Sequence, residues 1–323
     1  MLRLAKAGVR PLYLVTRRSF HRAVICYNPL GIDNSTENNL KTETNRLAKT
    51  GEKFWEKVGL KETDDKVYLQ LDSKTMKTPL GNELAFDSKR KLLALMLKKE
   101  WSNLHELGSS KFSLPLTSLV SRCIDLQTTS DPNCDPELVA KIGGSTDVIK
   151  NQLLRYIDTD TLLVFSPAAE FEGALRKEQD RLYLPIITKI EEFLSQRAPE
   201  SSKIKLQILD ADIHGLRGNV QSEEVKRAAT KYMDSLSLWD LAIFEKTVLT
   251  TKSFICGVLL LESLTNVHTE QILAHSLEDI IRLATLETIF QIERWGEVED
   301  THDVDKRDIK RNLASAAIVA YRD

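Results

Sequence analysis

The chain has 323 residues, enough for one large domain or two ordinary ones, and its 42% hydrophobic and 28% charged residues form an ordinary globular composition. No apolar run reaches the roughly 18 residues of a membrane span; the longest, residues 254–261, is too short and ends in Glu262. The formal charge of −2 hides an asymmetry: Arg3, Lys6, Arg10, Arg17, Arg18 and Arg22 all precede the first acid, Asp33, and without them 39 basic face 47 acidic residues, a net of −8. That balance speaks against nucleic acid as a partner and for a basic protein surface.

Taken in chain order, residues 1–30 read as a mitochondrial presequence, being basic, free of acid and mixed with Leu, Val and Ser. Residues 31–50 are rich in Asn, Thr and charge and read as a flexible linker. Strand patterns at 67–71, 74–78 and 83–86, separated by Asp72-Ser73 and Pro79-Leu80-Gly81-Asn82, predict a small antiparallel unit. A helix over 88–104 follows, with Leu92, Leu93, Leu95, Met96 and Trp101 as its buried face. From Leu114-Pro115 onward the periodicity predicts helices near 115–127, 135–156, 170–196, 221–234, 237–262, 269–295 and 304–321. Asp135 before Pro136, and Ser222 and Ser237, are expected N-caps, and residues 205–209 a short extended segment. The expected fold class is therefore α+β, predominantly α: a β-rich N-terminal domain over 51–130 and a larger α-helical C-terminal domain over 131–323.

Signatures of cofactor chemistry are missing from the sequence. Ile142-Gly143-Gly144-Ser145-Thr146 lacks the Gly-Lys-Ser/Thr that holds phosphate and magnesium, and Gly215-Leu216-Arg217-Gly218 is too short for a dinucleotide fingerprint. No serine sits in a G-x-S-x-G elbow, no Ser-His-Asp or Cys-His set stands out, and His214 is an isolated loop residue. Cys26, Cys123, Cys134 and Cys256 show no C-x-x-C spacing, so neither structural zinc nor a disulfide framework is expected, and the last three read as buried or inert thiols. We therefore expect no catalytic residue, cofactor or metal.

Residues 286–305, LETIFQIERWGEVEDTHDVD, are the most informative stretch. In an uninterrupted helix Ile280, Ala284, Glu287 and Gln291 fall on one line, with Leu283 and Phe290 beside them, while Glu278, Arg282 and Glu293 take the opposite arc. Glu287 is thus expected inside the apolar arc, where a carboxylate has to be paired (with Arg155, Arg217 or Lys252), protonated, or reserved for a ligand. Trp295-Gly296 should close the helix, and Glu297, Glu299, Asp300, Asp303, Asp305 and Asp308 follow it. His302 with these acids lacks the spacing of a zinc site or a calcium loop; the bland reading is a solvated turn in which Asp303 or Asp305 caps the last helix. Trp55, Trp101 and Trp239 read as core, and Trp295, between the acid and the acidic run, as a candidate anchor. The candidate partner-binding set is Glu287, Gln291, Trp295, Glu297, Glu299, Asp300 and Asp303.

This segment resembles the C-terminal signature of the mitochondrial F-type ATP synthase assembly chaperones that receive the α subunit of the catalytic head. Further blocks are similar to that family in the same order: Phe54-Trp55-Glu56-Lys57-Val58, Lys77-Thr78-Pro79-Leu80-Gly81, Leu114-Pro115-Leu116-Thr117, residues 156–163 (YIDTDTLL), residues 209–218 (LDADIHGLRG) and Lys252-Ser253-Phe254. The likeness runs from about residue 45 to 320, and the chain resembles a fungal member. It implies an ATP-independent chaperone of the mitochondrial matrix whose partner is unassembled α subunit, with no nucleic acid, membrane insertion or small-molecule substrate. Two rival readings are a matrix enzyme using Glu287 as general acid or base and a permanent structural subunit of a matrix complex.

Overall fold

A computed structural model describes residues 53–104, 114–198, 203–215, 218–265, 273–299 and 301–322. The presequence and linker expected at 1–30 and 31–50, and Arg217 and Asp300, lie outside them. The fold opens on a small antiparallel sheet in which β2 (Lys66–Leu71) pairs with β1 (Val58–Glu62), β3 (Lys74–Thr75) and β4 (Ala85–Asp87). Along β2 the side chains of Val67, Leu69 and Leu71 are buried while Lys66, Tyr68 and Gln70 are more open, the period-two pattern of a sheet with one covered face. Strand β1 was not anticipated: VGLKE has one glycine, two charges and no clean alternation. The strand expected at 74–78 is shorter and continues as a single bridge between Lys77 and Glu83.

Helix α1 (Lys91–Ser102) covers the sheet with Leu93, Ala94, Leu97 and Trp101. Leu92 and Leu95, expected inside, are 41% and 60% exposed, because the buried stripe is centred on Leu93 and Leu97 instead. The remaining helices are α2 (Pro115–Thr129), α3 (Pro136–Lys141), α4 (Thr146–Asp158), α5 (Ala174–Ser195), α6 (Ala211–His214), α7 (Glu223–Ser235), α8 (Leu238–Thr251), α9 (Phe254–Thr265), α10 (Leu277–Ala284), α11 (Leu286–Trp295) and α12 (His302–Ala320). Two residues from each of β5 (Val164–Phe165) and β6 (Leu209–Asp210) pair in parallel. The architecture is thus predominantly α with a small antiparallel sheet at its N-terminal side, as the sequence pattern predicts.

Helix α8 is the centre of the helical part, packed against α2, α9 and α12. It buries Trp239, Leu241, Ala242, Ile243, Phe244, Thr247 and Val248, and burial that nearly encircles a helix marks an interior element. Helix α9 crosses it closely at Gly257, where an added Cβ would stand 2.5 Å from the Phe244 ring. Among the cysteines, Cys123 and Cys256 are buried and free, and burial pushes the Cys256 thiol up to about 12; Cys134 is half-buried.

Several helices that the periodicity joins are broken in the structure. The one expected over 135–156 divides at Gly143 and Gly144, both at positive φ, into α3 and α4. The one expected over 237–262 turns at Lys252, in the left-handed conformation, and restarts as α9 with the Ser253 hydroxyl accepting from the Cys256 N–H at 2.9 Å. Asp135, Ser222 and Ser237 cap α3, α7 and α8 as expected.

Buried carboxylates supply the caps that local sequence does not. Leu114 stands at the N-cap of α2 without a capping side chain, and Glu100 of α1 accepts instead from the N–H groups of Leu116 and Thr117, each at 2.9 Å. Asp125 of α2 accepts from the Thr78 hydroxyl at 2.5 Å and the Asn82 amide at 2.7 Å, tying the turn after β3 to the helical part. Asp160, with no exposed surface, accepts from Leu162 N–H and, across 95 residues, from Ile255 N–H in the first turn of α9, both at 2.9 Å. The end of the chain is held in the same manner: Arg90 donates to the Val319 carbonyl at 2.6 Å and lies 4.6 Å from the Trp239 ring, while Arg322 pairs with Asp240.

Asp160→Ala should destabilise the fold by about 2–4 kcal/mol, since two buried N–H groups lose their acceptor, as read by chemical denaturation. Burial pushes this carboxyl from 3.8 up to about 6, so between those values the folded chain keeps a proton that the unfolded chain has released. The stability that Asp160 confers over Ala should therefore shrink as pH rises from about 4 to about 6; a difference that grows with pH would contradict this.

Candidate partner-binding surface

The segment singled out from sequence is presented on the outside of the molecule. Helix α10 begins at a capping box formed by Ser276 and Asp279 and is pinned to α5 by the Tyr183 hydroxyl, which donates to the Leu283 carbonyl at 3.0 Å, and by an Arg282–Glu178 ion pair of 2.8 Å. At Thr285 (φ −118, ψ 13) the helix breaks, and α11 starts in a new phase. Of its ten residues only Leu286 is buried.

That break overturns the expected position of Glu287. An uninterrupted 269–295 helix would carry Glu287 into the apolar arc; the change of phase at Thr285 turns it outward, and it is exposed. Its carboxylate accepts from the Gln291 amide at 2.9 Å, one helical turn on. Among the described residues it forms no ion pair, so neither Arg155 nor Lys252 neutralises it. Trp295 is 65% exposed, Gly296 ends the helix at positive φ as expected, and Val298 is 52% exposed. Glu297 and Glu299 are exposed, Asp303 is half-buried with its Oδ2 3.8 Å from Arg307, and Asp308 pairs with Arg311 at 2.7 Å. The last helix is not capped by Asp303 or Asp305: Thr301 takes the N-cap position without a side-chain bond, and the two acids sit in the first turn, where they favour the helix dipole. His302 Nδ1 accepts from Val298 N–H at 3.1 Å, which closes the loop. Among the described residues no group of three or more His, Cys, Asp or Glu could hold a metal ion, and no helix is long and apolar enough to cross a membrane.

Sequence reading missed what lies beneath Trp295. Before α5 the chain makes a left-handed turn through Phe171 (φ 49), Glu172 (φ 57) and Gly173 (φ 81). Only glycine adopts this region freely, and each of the other two costs about 1–2 kcal/mol. The turn aims the Phe171 ring at α11, where it meets Phe290 edge-on at 5.9 Å and Trp295 at 5.4 Å, with the Arg294 guanidinium 5.6 Å from its centre. Gly173 is the only local sequence signal for such a turn. The arrangement is a supported, outward-facing aromatic surface beside exposed carboxylates.

Several of the remaining family-like blocks carry joints of the fold, although Asp212, Ile213 and His214 of residues 209–218 are exposed. Lys77–Gly81 forms the turn that meets Asp125, Leu114–Thr117 the helix start that Glu100 caps, and Tyr156–Leu163 meets Lys252–Phe254 through hydrogen bonds of Asp160 with the Ser253 side chain and the Phe254 backbone and a Lys252 ammonium 5.9 Å from the Tyr156 ring. In residues 209–218, Asp210 pairs with Arg176 at 2.6 Å and Asp212 accepts from Ala168 N–H at 2.8 Å. His214 accepts from Asp210 N–H at 3.1 Å, a structural task.

Comparison with known proteins agrees with a binding protein of chaperone class. The sequence model of the ATP12 chaperone protein family matches residues 52–191. The chain is 65% identical over 297 residues to the Saccharomyces cerevisiae protein named ATP12, mitochondrial, covering 91% of each. It is 32% identical over 268 residues to the Schizosaccharomyces pombe protein named atp12, mitochondrial, covering 83% of this chain and 81% of that one. In fold it is similar to a putative chaperone from Agrobacterium tumefaciens (TM-score 0.58, 21% identity, 83% of this chain and 84% of that chain) and to a point mutant of Paracoccus denitrificans Atp12p (TM-score 0.57, 22% identity, 83% and 94%). The chain belongs to the ATP12 chaperone family, a family of chaperones and not of enzymes.

Glu172→Gly should raise the stability of the protein by about 0.5–1 kcal/mol, because glycine takes the left-handed conformation without the Cβ penalty. A thermal melt compares the two; an unchanged or lower midpoint would show that Glu172 carries no such strain.

Proposed function

We propose that this chain is an ATP-independent chaperone of the mitochondrial matrix that binds unassembled α subunit of the F-type ATP synthase and promotes assembly of the catalytic head. The observation that carries this reading is the exposed Trp295 and Val298 set among Glu287, Glu297, Glu299 and Asp303. An unassembled subunit exposes surface that its neighbours would bury, and large exposed apolar patches associate with wrong partners. A holder that covers such surface and later yields to the incoming neighbour needs moderate affinity and a partly polar interface. An acidic rim around an aromatic anchor meets that need and would steer the chaperone to basic groups on the subunit. Residues 1–30 would serve as the removable address, in keeping with the mitochondrial names of the yeast relatives.

Neither rival gains support. An acid–base catalyst needs Glu287 in a pocket, and it stands on the surface. A permanent subunit would co-purify with finished synthase, whereas a chaperone should be absent from it.

The reading is tested by co-expression with tagged α and tagged β subunit. We expect retention on α and much weaker retention on β. The association rate with α should fall as salt rises, because exposed charges beyond about a Debye length are screened. Equal retention of both subunits, or an association rate indifferent to salt, would count against it.

Glu287→Gln should leave the unfolding free energy within the small range of a surface substitution, about ±0.5 kcal/mol. It should slow association with α and flatten its salt dependence, as loss of an exposed rim charge does. A variant that melts early, or one whose association rate matches the parent, would remove Glu287 from the binding surface.

A further inference from the structure

We propose that the Phe171–Trp295 ring pair is a seat for a cationic side chain of the bound partner, and that Arg294 occupies this seat as an internal competitor until the partner arrives. The inference rests on the binding surface proposed above and specifies the chemistry it takes. Glu287, Phe290, Gln291, Arg294 and Trp295 share one face of α11, spread over an arc of about 140° at 100° per residue. The face therefore offers an acid, two rings and an amide, with one cation already present.

Three observations point to a cation as the occupant. First, the Arg294 guanidinium lies 5.6 Å from the Phe171 ring centre, within the distance at which the negative face of a ring attracts a cation. Arg294 itself is exposed and, among the described residues, makes no ion pair, so the ring is its one recorded side-chain contact. Second, Trp295, the aromatic type that attracts cations best, touches Phe171 at 5.4 Å and is left 65% exposed. Third, Glu287, Glu297 and Glu299 are exposed and, among the described residues, lack ion pairs of their own, so the field around the rings favours a positive group. The left-handed turn at Phe171 and Glu172 keeps the lower ring in place at a conformational cost, as is common where a site is pre-organised. A partner's arginine fits best, since its planar guanidinium both stacks on a ring and pairs with carboxylates. It would displace Arg294 towards solvent and take its place between rings and acids.

The test uses the full chain and has two arms. In the first, N-acetyl-arginine amide is titrated while tryptophan fluorescence is read. Trp55, Trp101 and Trp239 are buried, so the responsive signal belongs to Trp295. N-acetyl-citrulline amide, of the same shape without the charge, is the control. In the second arm, affinity for purified α subunit is measured. Arg294→Gln should tighten both by about two- to five-fold, the scale of one exposed cation–π contact. Arg307→Gln, which removes an equal charge from a residue 72% exposed that makes no recorded ring contact among the described residues, should tighten them less. Trp295→Leu should abolish the fluorescence response and weaken α binding. The seat is overturned if citrulline amide binds as well as arginine amide, if Arg294→Gln tightens neither ligand, or if Arg307→Gln has the same effect as Arg294→Gln. Loss of these effects while α is still retained sinks the cation seat alone. An arginine response without α retention keeps the seat and sinks the proposed partner. Because Arg294 is exposed, its replacement leaves the fold intact and keeps the outcome readable.

Discussion

The Asp160 carboxylate is the joint on which the helical part of this protein depends. It is fully buried, yet it closes its own turn through Leu162 and caps the most hydrophobic helix of the chain through Ile255. Helix α9 begins directly after a tight turn at Lys252 and Ser253, and its first N–H groups point into the interior, where water does not reach them. An orphaned backbone donor there costs about as much as a lost hydrogen bond. Asp160 answers that need from a segment nearly a hundred residues earlier, so the start of α9 is fixed against the turn that precedes β5.

The same device recurs at Glu100 and Asp125, and it separates two uses of acids in one chain. Inside, each acid meets N–H or O–H donors and fixes where two segments join. At 287–299 the acids face outward, and among the described residues only Glu287 is engaged, by a neighbouring amide. The fold and the proposed binding surface therefore draw on the same residue type, and what distinguishes the two is whether the local backbone leaves donors that need an acceptor.

Much of the fold was legible in the sequence because it follows local rules. The alternation in β2, the turn residues after it, and the caps Asp135, Ser222 and Ser237 all act within a few residues of themselves. The breaks were less legible. Gly143-Gly144 is a visible interruption, but Lys252 adopts a left-handed conformation that its type does not announce, and Thr285 is an acceptable helical residue whose dihedral angles nonetheless leave the helix. A single missed break was enough to misplace Glu287, which the new phase turns outward. At the proposed binding surface the order of residues showed Trp295 beside an acidic run, but not the Phe171 turn over a hundred residues away that supports it.

The link between Arg90 and Val319 bears on the order in which the molecule can be completed. A chain that emerges N-terminus first, from a ribosome or a membrane pore, has its sheet and α1 in hand early. Yet the carbonyl that Arg90 grips, and the α12 turn carrying it, arrive 229 residues later. Trp239, against which Arg90 stacks, donates to that same carbonyl at 3.3 Å. The earliest segment thus waits for the last one to be locked down. Contacts this far apart in sequence form late because loop closure precedes any gain. A chain halted before Val319 would keep all the described strands and most of the described helices, and still lack the clasp between the sheet module and α8.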